Sequence, residues 1–219
     1  MTIITWQVLA ELAHEAMRLQ NDVAFYDIAQ NALAHPGFTG RDYDFNGNGT
    51  LIIGMNRGGS SVSAVDAYEA RAQAALLDRA DLKAYQTLSD RSFELLDGWN
   101  LWRRNLLILL TRASVPVSTV AYIHAVPFRV VNNKCLNKLY NPVWKKFTYK
   151  QVSALNPGRI IFAGSEVGKS LSSLTSIRSV IVPRTGRDIA YPNHNGVIHA
   201  KRVAEAHDKI LSDADFWKG

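Results

Sequence analysis

The chain has 219 residues, enough for one large domain, and 47% of them are hydrophobic, enough to build a core. No apolar run reaches the roughly 18 residues that span a bilayer, and a single cysteine, Cys135, excludes an intramolecular disulfide and four-cysteine zinc or iron–sulfur sites. The net charge of +6 and pI of about 9.5 point toward a polyanionic partner such as nucleic acid. No basic region followed by an apolar stretch and a small-residue cleavage site opens the sequence, which predicts a cytoplasmic protein.

Hydrophobic spacing (Trp6, Leu9, Leu12, Ala13, Ala16, Leu19) predicts helix over residues 3–34, ended by His35-Pro36-Gly37. Residues 1–40 thus form an N-terminal helical segment of one domain spanning 1–219. A Gly/Asn/Asp-rich loop covers 37–50, and a first strand covers 50–54. Residues 64–97 read as helix with Gly98 as its stop, followed by a second helix over 99–112 and a strand at 120–123. Residues 129–150 carry Arg129, Lys134, Lys138, Lys145, Lys146 and Lys150 without an acid, interleaved with Tyr140, Trp144, Phe147 and Tyr149. That mixture suits a phosphate backbone and unstacked bases, or else a solvated connection with a few core anchors. A helix near 148–154, a strand at 159–163, a helix at 165–173, a strand at 179–182 and a last helix at 199–212 complete the chain. Apolar runs alternating with helical patterns predict an α/β fold with a mostly parallel sheet of four strands and helices on both faces.

Two local motifs suggest other chemistry. Asp42-Tyr43-Asp44-Phe45-Asn46-Gly47 opens like a calcium loop, but the twelfth position is Ile53 where a bidentate Glu is needed. Ala163-Gly164-Ser165-Glu166-Val167-Gly168-Lys169-Ser170 fits a permissive phosphate-loop pattern between a strand and a helix. The next strand ends in Val182-Pro183-Arg184, with no Asp to hold magnesium. A strand–turn–helix corner with glycine for close packing accounts better for that stretch. Asn48-Gly49-Thr50 matches a glycosylation sequon, which has no meaning without secretion.

The most informative stretch is Leu51-Ile52-Ile53-Gly54-Met55-Asn56-Arg57-Gly58-Gly59, a buried strand running into a glycine-rich turn. In open parallel sheets, ligands sit just outside the carboxyl ends of the strands, so Asn56 is expected at the mouth of a pocket. Gly54-Met55-Asn56-Arg57-Gly58 resembles the first motif of the uracil-DNA glycosylase superfamily, in its single-strand-selective and mismatch-specific branches. Tyr122 through Asn133 resembles the second strand and following loop of that family. Arg159–Ser165 resembles its third strand and turn, and Tyr191-Pro192-Asn193-His194-Asn195-Gly196 stands where the family has a histidine-proline-serine loop.

The resemblance implies a three-layer αβα fold with a four-stranded parallel sheet. It implies a monofunctional DNA glycosylase with no cofactor and no metal, acting on a flipped-out base. Asn56 would position the attacking water, and His194 would donate to the developing oxyanion of the base. Gly54, Met55, Arg57, Gly58, Gly59, Tyr68, His124 and Phe128 would line the base pocket, with Tyr68 stacking and His124 facing the Watson–Crick edge. Val197 and Ile198 would form the apolar wedge, while Asn195, Lys201, Arg202 and Lys134 would hold DNA. Its partner would be DNA, single- or double-stranded, with no membrane and no obligate protein partner. Three positions differ from the family: Arg57 replaces a proline, His194-Asn195-Gly196 replaces the histidine-proline-serine loop, and His124 replaces the uracil-reading asparagine. An imidazole reads a base edge differently from an amide. The small residues Gly58-Gly59-Ser60-Ser61 leave room beside C5, which suggests a pyrimidine with a bulky C5 substituent. Glucosylated hydroxymethylcytosine of phage DNA is one such base, and its excision would serve antiviral defence. A uracil-excising repair enzyme and a catalytically silent DNA-binding module are the competing expectations, with a phosphate-loop nucleotide hydrolase as a third.

Overall fold

The computed structural model describes residues 3–19, 21–22, 24–25, 34–56, 67–98, 101–128, 130, 136–183 and 194–218. Its sheet contains β1 (Phe38–Thr39), β2 (Thr50–Asn56), β3 (Val120–Val126), β4 (Arg159–Ala163) and β5 (Ser179–Val182), in the spatial order β1-β3-β2-β4-β5. The four longer strands are parallel. The expectation of a four-stranded parallel sheet is therefore corrected to a mixed sheet of five, because β1 pairs antiparallel with β3. The glycines of the 37–50 loop permit this pairing. A Cβ on Gly37, which has φ +82°, would fall 2.0 Å from the Tyr122 carbonyl oxygen, and one on Gly40 would fall 2.1 Å from that of Ser118. Only glycine lets the chain lie this close against the β3 edge.

Side-chain alternation sorts the strands into two apolar faces. Leu51, Ile53, Ala121, Ile123, Ile160 and Phe162 join a large cluster on one face. They pack beneath α1 (Ile3–Leu19), α2 (Ala67–Asp78), α3 (Leu82–Leu95), α5 (Leu136–Val143), α6 (Tyr149–Leu155) and α7 (Ser165–Leu171). Ile52, Tyr122, Ile161 and Ala163 join a second cluster on the other face. There they meet the π-helical turn Trp102–Leu106, α4 (Leu107–Arg112), α8 (His194–Ser212) and α9 (Ala214–Trp217). From β2 the chain steps to β3 on one side, then crosses back to β4 and β5 on the other. Accordingly α4 precedes β3 on one face while α6 and α7 precede β4 and β5 on the opposite face, as crossovers of a single hand require.

Several helix boundaries differ from the periodicity. The helix predicted over 3–34 stops at Leu19, where Asn21 donates its backbone N–H to the Arg18 carbonyl in a turn. The helix predicted over 64–97 divides, because the Asp81 carboxylate accepts the Ala84 N–H at 2.9 Å and starts α3 afresh. The helix predicted near 148–154 instead begins at Leu136 and continues through Pro142 and a π-helical turn, Trp144–Thr148, into α6. The last helix begins at His194, so His194, Asn195 and Gly196 form its first turn rather than a loop. No helix among the described residues is long and apolar enough to cross a membrane.

The phosphate-loop pattern has a packing explanation. Helix α7 starts at Ser165, immediately after Gly164, whose N–H donates to the carbonyls of Phe162 and Val182. No loop remains in which to wrap a phosphate. A Cβ on Gly168 would lie 2.5–2.9 Å from three side-chain carbons of Ile181 on β5. Gly168→Ala is therefore expected to destabilise the protein by about 1–3 kcal/mol through overpacking. The loss should shrink in an Ile181→Ala background, which a double-mutant cycle of urea unfolding would measure. An equal loss in both backgrounds would place the cost elsewhere.

Candidate active site

The direction in which the chain walks along the parallel strands reverses between β2 and β4. A crevice opens outside the carboxyl ends of strands at such a switch point. The residues presented there are Gly54, Met55 and Asn56 from β2, and Ala163 and Gly164 from β4. Asn56 is the last residue of β2 and pairs in register with Val126; its side chain lies outside the described residues. Met55 is half-buried and packs toward Gly164, where a Cβ would sit 3.6 Å from both its Cγ and its Sδ. Gly164 has φ +138°, a conformation that side chains rarely adopt, and it turns β4 directly into α7.

Beneath this edge, Tyr122 crosses from β3 over Gly54, and a Cβ there would fall 2.0 Å from the Tyr122 hydroxyl oxygen. Glycine at 54 is thus required by the neighbouring strand. His124, the register partner of Gly54, is 4% exposed, and its ring meets Tyr122 edge-on with centroids 5.2 Å apart. It lies two residues below the partner of Asn56, so it belongs to the floor of the crevice rather than its mouth. Phe128 is fully buried against Phe25, with centroids 5.8 Å apart, in the α1-side core. That gives it a packing role and presents no ring to a ligand.

The exits of the strands are held by side chains that the sequence reading did not single out. Thr148 Oγ1 donates to the Ala125 carbonyl at 3.0 Å, and Gln151 Nε2 donates to the Pro36 carbonyl at 3.0 Å. The His35 backbone N–H donates to the Pro127 carbonyl at 2.9 Å. The His35 ring accepts the Gly37 N–H at Nδ1, which leaves Nε2 as the donor to Ser92 Oγ at 2.9 Å. On the opposite face, buried Asn105 donates Nδ2 to the Pro183 carbonyl at 3.0 Å, just past β5. Its Oδ1 then accepts from His207 Nε2 at 2.7 Å. The one signal for this bridge is the spacing of Val203, His207 and Ile210 on the inward face of α8.

The bridge fixes where α8 meets the sheet. His194 stands thirteen residues before His207, or about 20 Å along a straight helix axis. The backbones of His194, Asn195, Val197 and Ile198 lie in that part of α8, and that of Tyr68 lies in the first turn of α2; their side chains lie outside the described residues. Arg57, Gly58, Gly59 and Lys134 also lie outside them. Lys201 and Arg202 are exposed on α8, Lys201 standing 3.9 Å from Glu205. The structure therefore gathers Gly54, Met55, Tyr122 and His124 around the end of β2, and makes His194 the first residue of a separate element, α8.

The basic, aromatic segment resolves mostly into core. Tyr140, Trp144 and Phe147 are buried, while Tyr149 is exposed. Lys146 pairs with Asp22 and lies over the Phe25 ring, and Lys150 pairs with Glu15 at 2.7 Å. In the calcium-like loop, the Asp44 carboxylate accepts from the Asn46 N–H and from the Asn46 and Asn48 side-chain amides. These bonds hold its pKa below the usual carboxylate range. No cluster of three or more His, Cys, Asp or Glu suited to a metal occurs among the described residues. No protein-family model matches the chain, and no curated protein is significantly similar to it.

Burial, reinforced by Arg112 and partly opposed by Asp208, holds the His207 pKa below the ordinary value of 6.5. The unfolded chain therefore takes up a proton at His207 before the folded chain does. The stability contributed by neutral His207 is complete above that value and is lost as pH falls below it. The melting temperature is expected to drop between about pH 7 and pH 5. The drop should be shallower in His207→Gln, which keeps an amide donor for Asn105. Parallel melting curves for the two proteins would assign the slope to other groups.

Proposed function

We propose that this chain is a monofunctional DNA glycosylase of the uracil-DNA glycosylase kind, built as a three-layer αβα domain around its four parallel strands. The observation that carries the proposal is the position of Asn56, at the carboxyl end of a central strand and beside the switch point. The supporting features are the glycine-lined approach at Gly54 and Gly164, the buried aromatic and imidazole floor of Tyr122 and His124, and a helix that starts at His194.

In the proposed reaction a nucleotide leaves the stack and its base enters the crevice. The N-glycosidic bond breaks, with its electron pair going to the base and positive charge developing on the sugar. Water held by the Asn56 amide adds its oxygen to C1′ and releases a proton, which the departing base or solvent takes up. Asn56 has no basicity, so it acts by position, and His194 stabilises the anionic base by donating a hydrogen bond. The small residues Gly58-Gly59-Ser60-Ser61, which follow Arg57 in the first motif, favour a pyrimidine with a bulky C5 group, in keeping with excision of modified cytosine from phage DNA.

Base release from oligonucleotides carrying uracil, thymine, hydroxymethylcytosine or glucosylated hydroxymethylcytosine tests this. Release from the bulky cytosines is expected, leaving an unbroken abasic strand, with the rate falling at least about 100-fold in Asn56→Ala at unchanged DNA affinity. Release from uracil alone would make the protein a repair enzyme. Binding without release from any substrate would leave a DNA-binding module and remove the enzymatic proposal.

A further inference from the structure

At the amino edge of the sheet, two arginines stand side by side on adjacent strands. Arg159 is the first residue of β4 and pairs in register with Thr50 of β2. Arg178 immediately precedes β5, and its carbonyl accepts the Ile160 N–H at 2.9 Å. Ile160 is the register partner of Ser179, so one residue earlier Arg178 stands opposite Arg159. Like charges directly opposite each other on neighbouring strands destabilise a sheet unless something neutralises them.

The chain meets these two cations with neutral groups only. Arg159 Nε donates to Thr50 Oγ1 at 2.8 Å, and its Nη1 donates to the Phe216 and Trp217 carbonyls at 3.4 and 2.7 Å. Arg178 Nη1 donates to the Lys218 carbonyl at 3.4 Å. The pair thus takes three successive carbonyls at the end of α9, where helical carbonyls lack partners of their own. The Arg159 guanidinium also lies over the Trp217 ring, 5.5 Å from its centroid. The neighbouring acids are engaged elsewhere. Asp213 accepts the Phe216 N–H at 3.0 Å, Asp215 pairs with Lys218 at 3.0 Å, and Asp208 pairs with Arg112 at 2.7 Å. Neither Arg159 nor Arg178 has a carboxylate partner among the described residues. Arg159 is half-buried, and that burial, together with the charge of Arg178, holds its pKa below the ordinary value.

Arg159 Nη2 and the Nε and Nη2 of Arg178 have no acceptor among the described residues. Arg178 is exposed, so the pair is open to solvent on its side. Each guanidinium therefore offers donors in a fixed planar fork, the geometry that matches the oxygens of a phosphate. We propose that Arg159 and Arg178 hold a phosphate dianion, free or at the end of a phosphomonoester, at the amino edge of the sheet. A dianion supplies the two negative charges that the pair lacks, whereas a phosphodiester supplies one. The site lies at the opposite end of the strands from Asn56 and does not depend on the glycosylase reading.

The test titrates the full chain against inorganic phosphate, with chloride keeping the ionic strength constant, and follows the width of the phosphate phosphorus resonance. The wild type is expected to broaden it. Arg178→Gln is expected to weaken binding about tenfold, because it removes a charge-assisted bond. Arg178 makes one long bond to a carbonyl, so this variant should keep the wild-type melting temperature in chloride. Lys169→Gln, exposed on α7 in the phosphate-loop-like stretch, loses the same charge and should bind phosphate as the wild type does. An unbroadened resonance with the wild type would overturn the proposal. Equal weakening by both variants would reduce the effect to net charge, and weakening by Lys169→Gln alone would move the phosphate to the turn before α7; either overturns the site. An oligothymidylate without a terminal phosphate is expected to leave the bound phosphate in place, and its displacing phosphate would overturn the choice of a dianion.

Discussion

The structure depends on the burial of β2 on all four sides. Its backbone bonds to β3 along one edge and β4 along the other, and its side chains from Leu51 to Ile53 are fully buried between helices on both faces. In such a strand a polar side chain has neither water nor a free backbone group to bond, so it would cost several kcal/mol of desolvation. The first position where the chain can carry an amide is where the ladders end. Asn56 stands there, one residue past half-buried Met55. The location of the candidate site therefore follows from the same constraint that makes the strand.

Where strands stop, their last carbonyls lose ladder partners, and the fold satisfies several of them with side chains from flanking segments. Thr148 reaches Ala125, Asn105 reaches Pro183, and Gln151 reaches Pro36 beside the His35 bond to Pro127. Each bond replaces a buried unsatisfied carbonyl, whose desolvation would otherwise cost about 1–3 kcal/mol. Their common effect is to fix the exits of β3 and β5, on both sides of the switch point. Rigid exits hold whatever the following segments present.

The elements most legible in the sequence were those whose signal is local. The strands at 159–163 and 179–182 coincide with β4 and β5, because short apolar runs with turn residues at their ends admit few alternatives. What escaped was decided by distant partners. Phe38–Thr39 is a strand only because β3 offers an edge that Gly37 and Gly40 can approach. The helix read near 148–154 starts at Leu136 because burial of Tyr140, Val143, Trp144 and Phe147 carries it through Pro142, which removes one helical N–H. The same burial changed the meaning of the basic segment, three of whose aromatics, Tyr140, Trp144 and Phe147, face the core. Asn56 and Gly54 were legible because the strand-end motif is contiguous. Tyr122 was not, because its contact with Gly54 joins residues far apart in sequence, and Asn105 and His207 were not for the same reason.

An amide at the strand end sets a particular demand on the scaffold. A carboxylate can polarise water through its charge over several ångströms, and it tolerates some looseness. An amide acts only through directed hydrogen bonds, which weaken steeply as their angle departs from linear. On the proposed chemistry, Asn56 contributes to rate only if its carbonyl and the sugar are held in fixed relation. Its own anchoring comes from β2, locked between two strands, with Tyr122 closed over Gly54 two residues before it. Substituting either Gly54 or Tyr122 would loosen the strand end without touching the amide. The tight approach of these two residues is therefore as much a part of the candidate site as Asn56 itself.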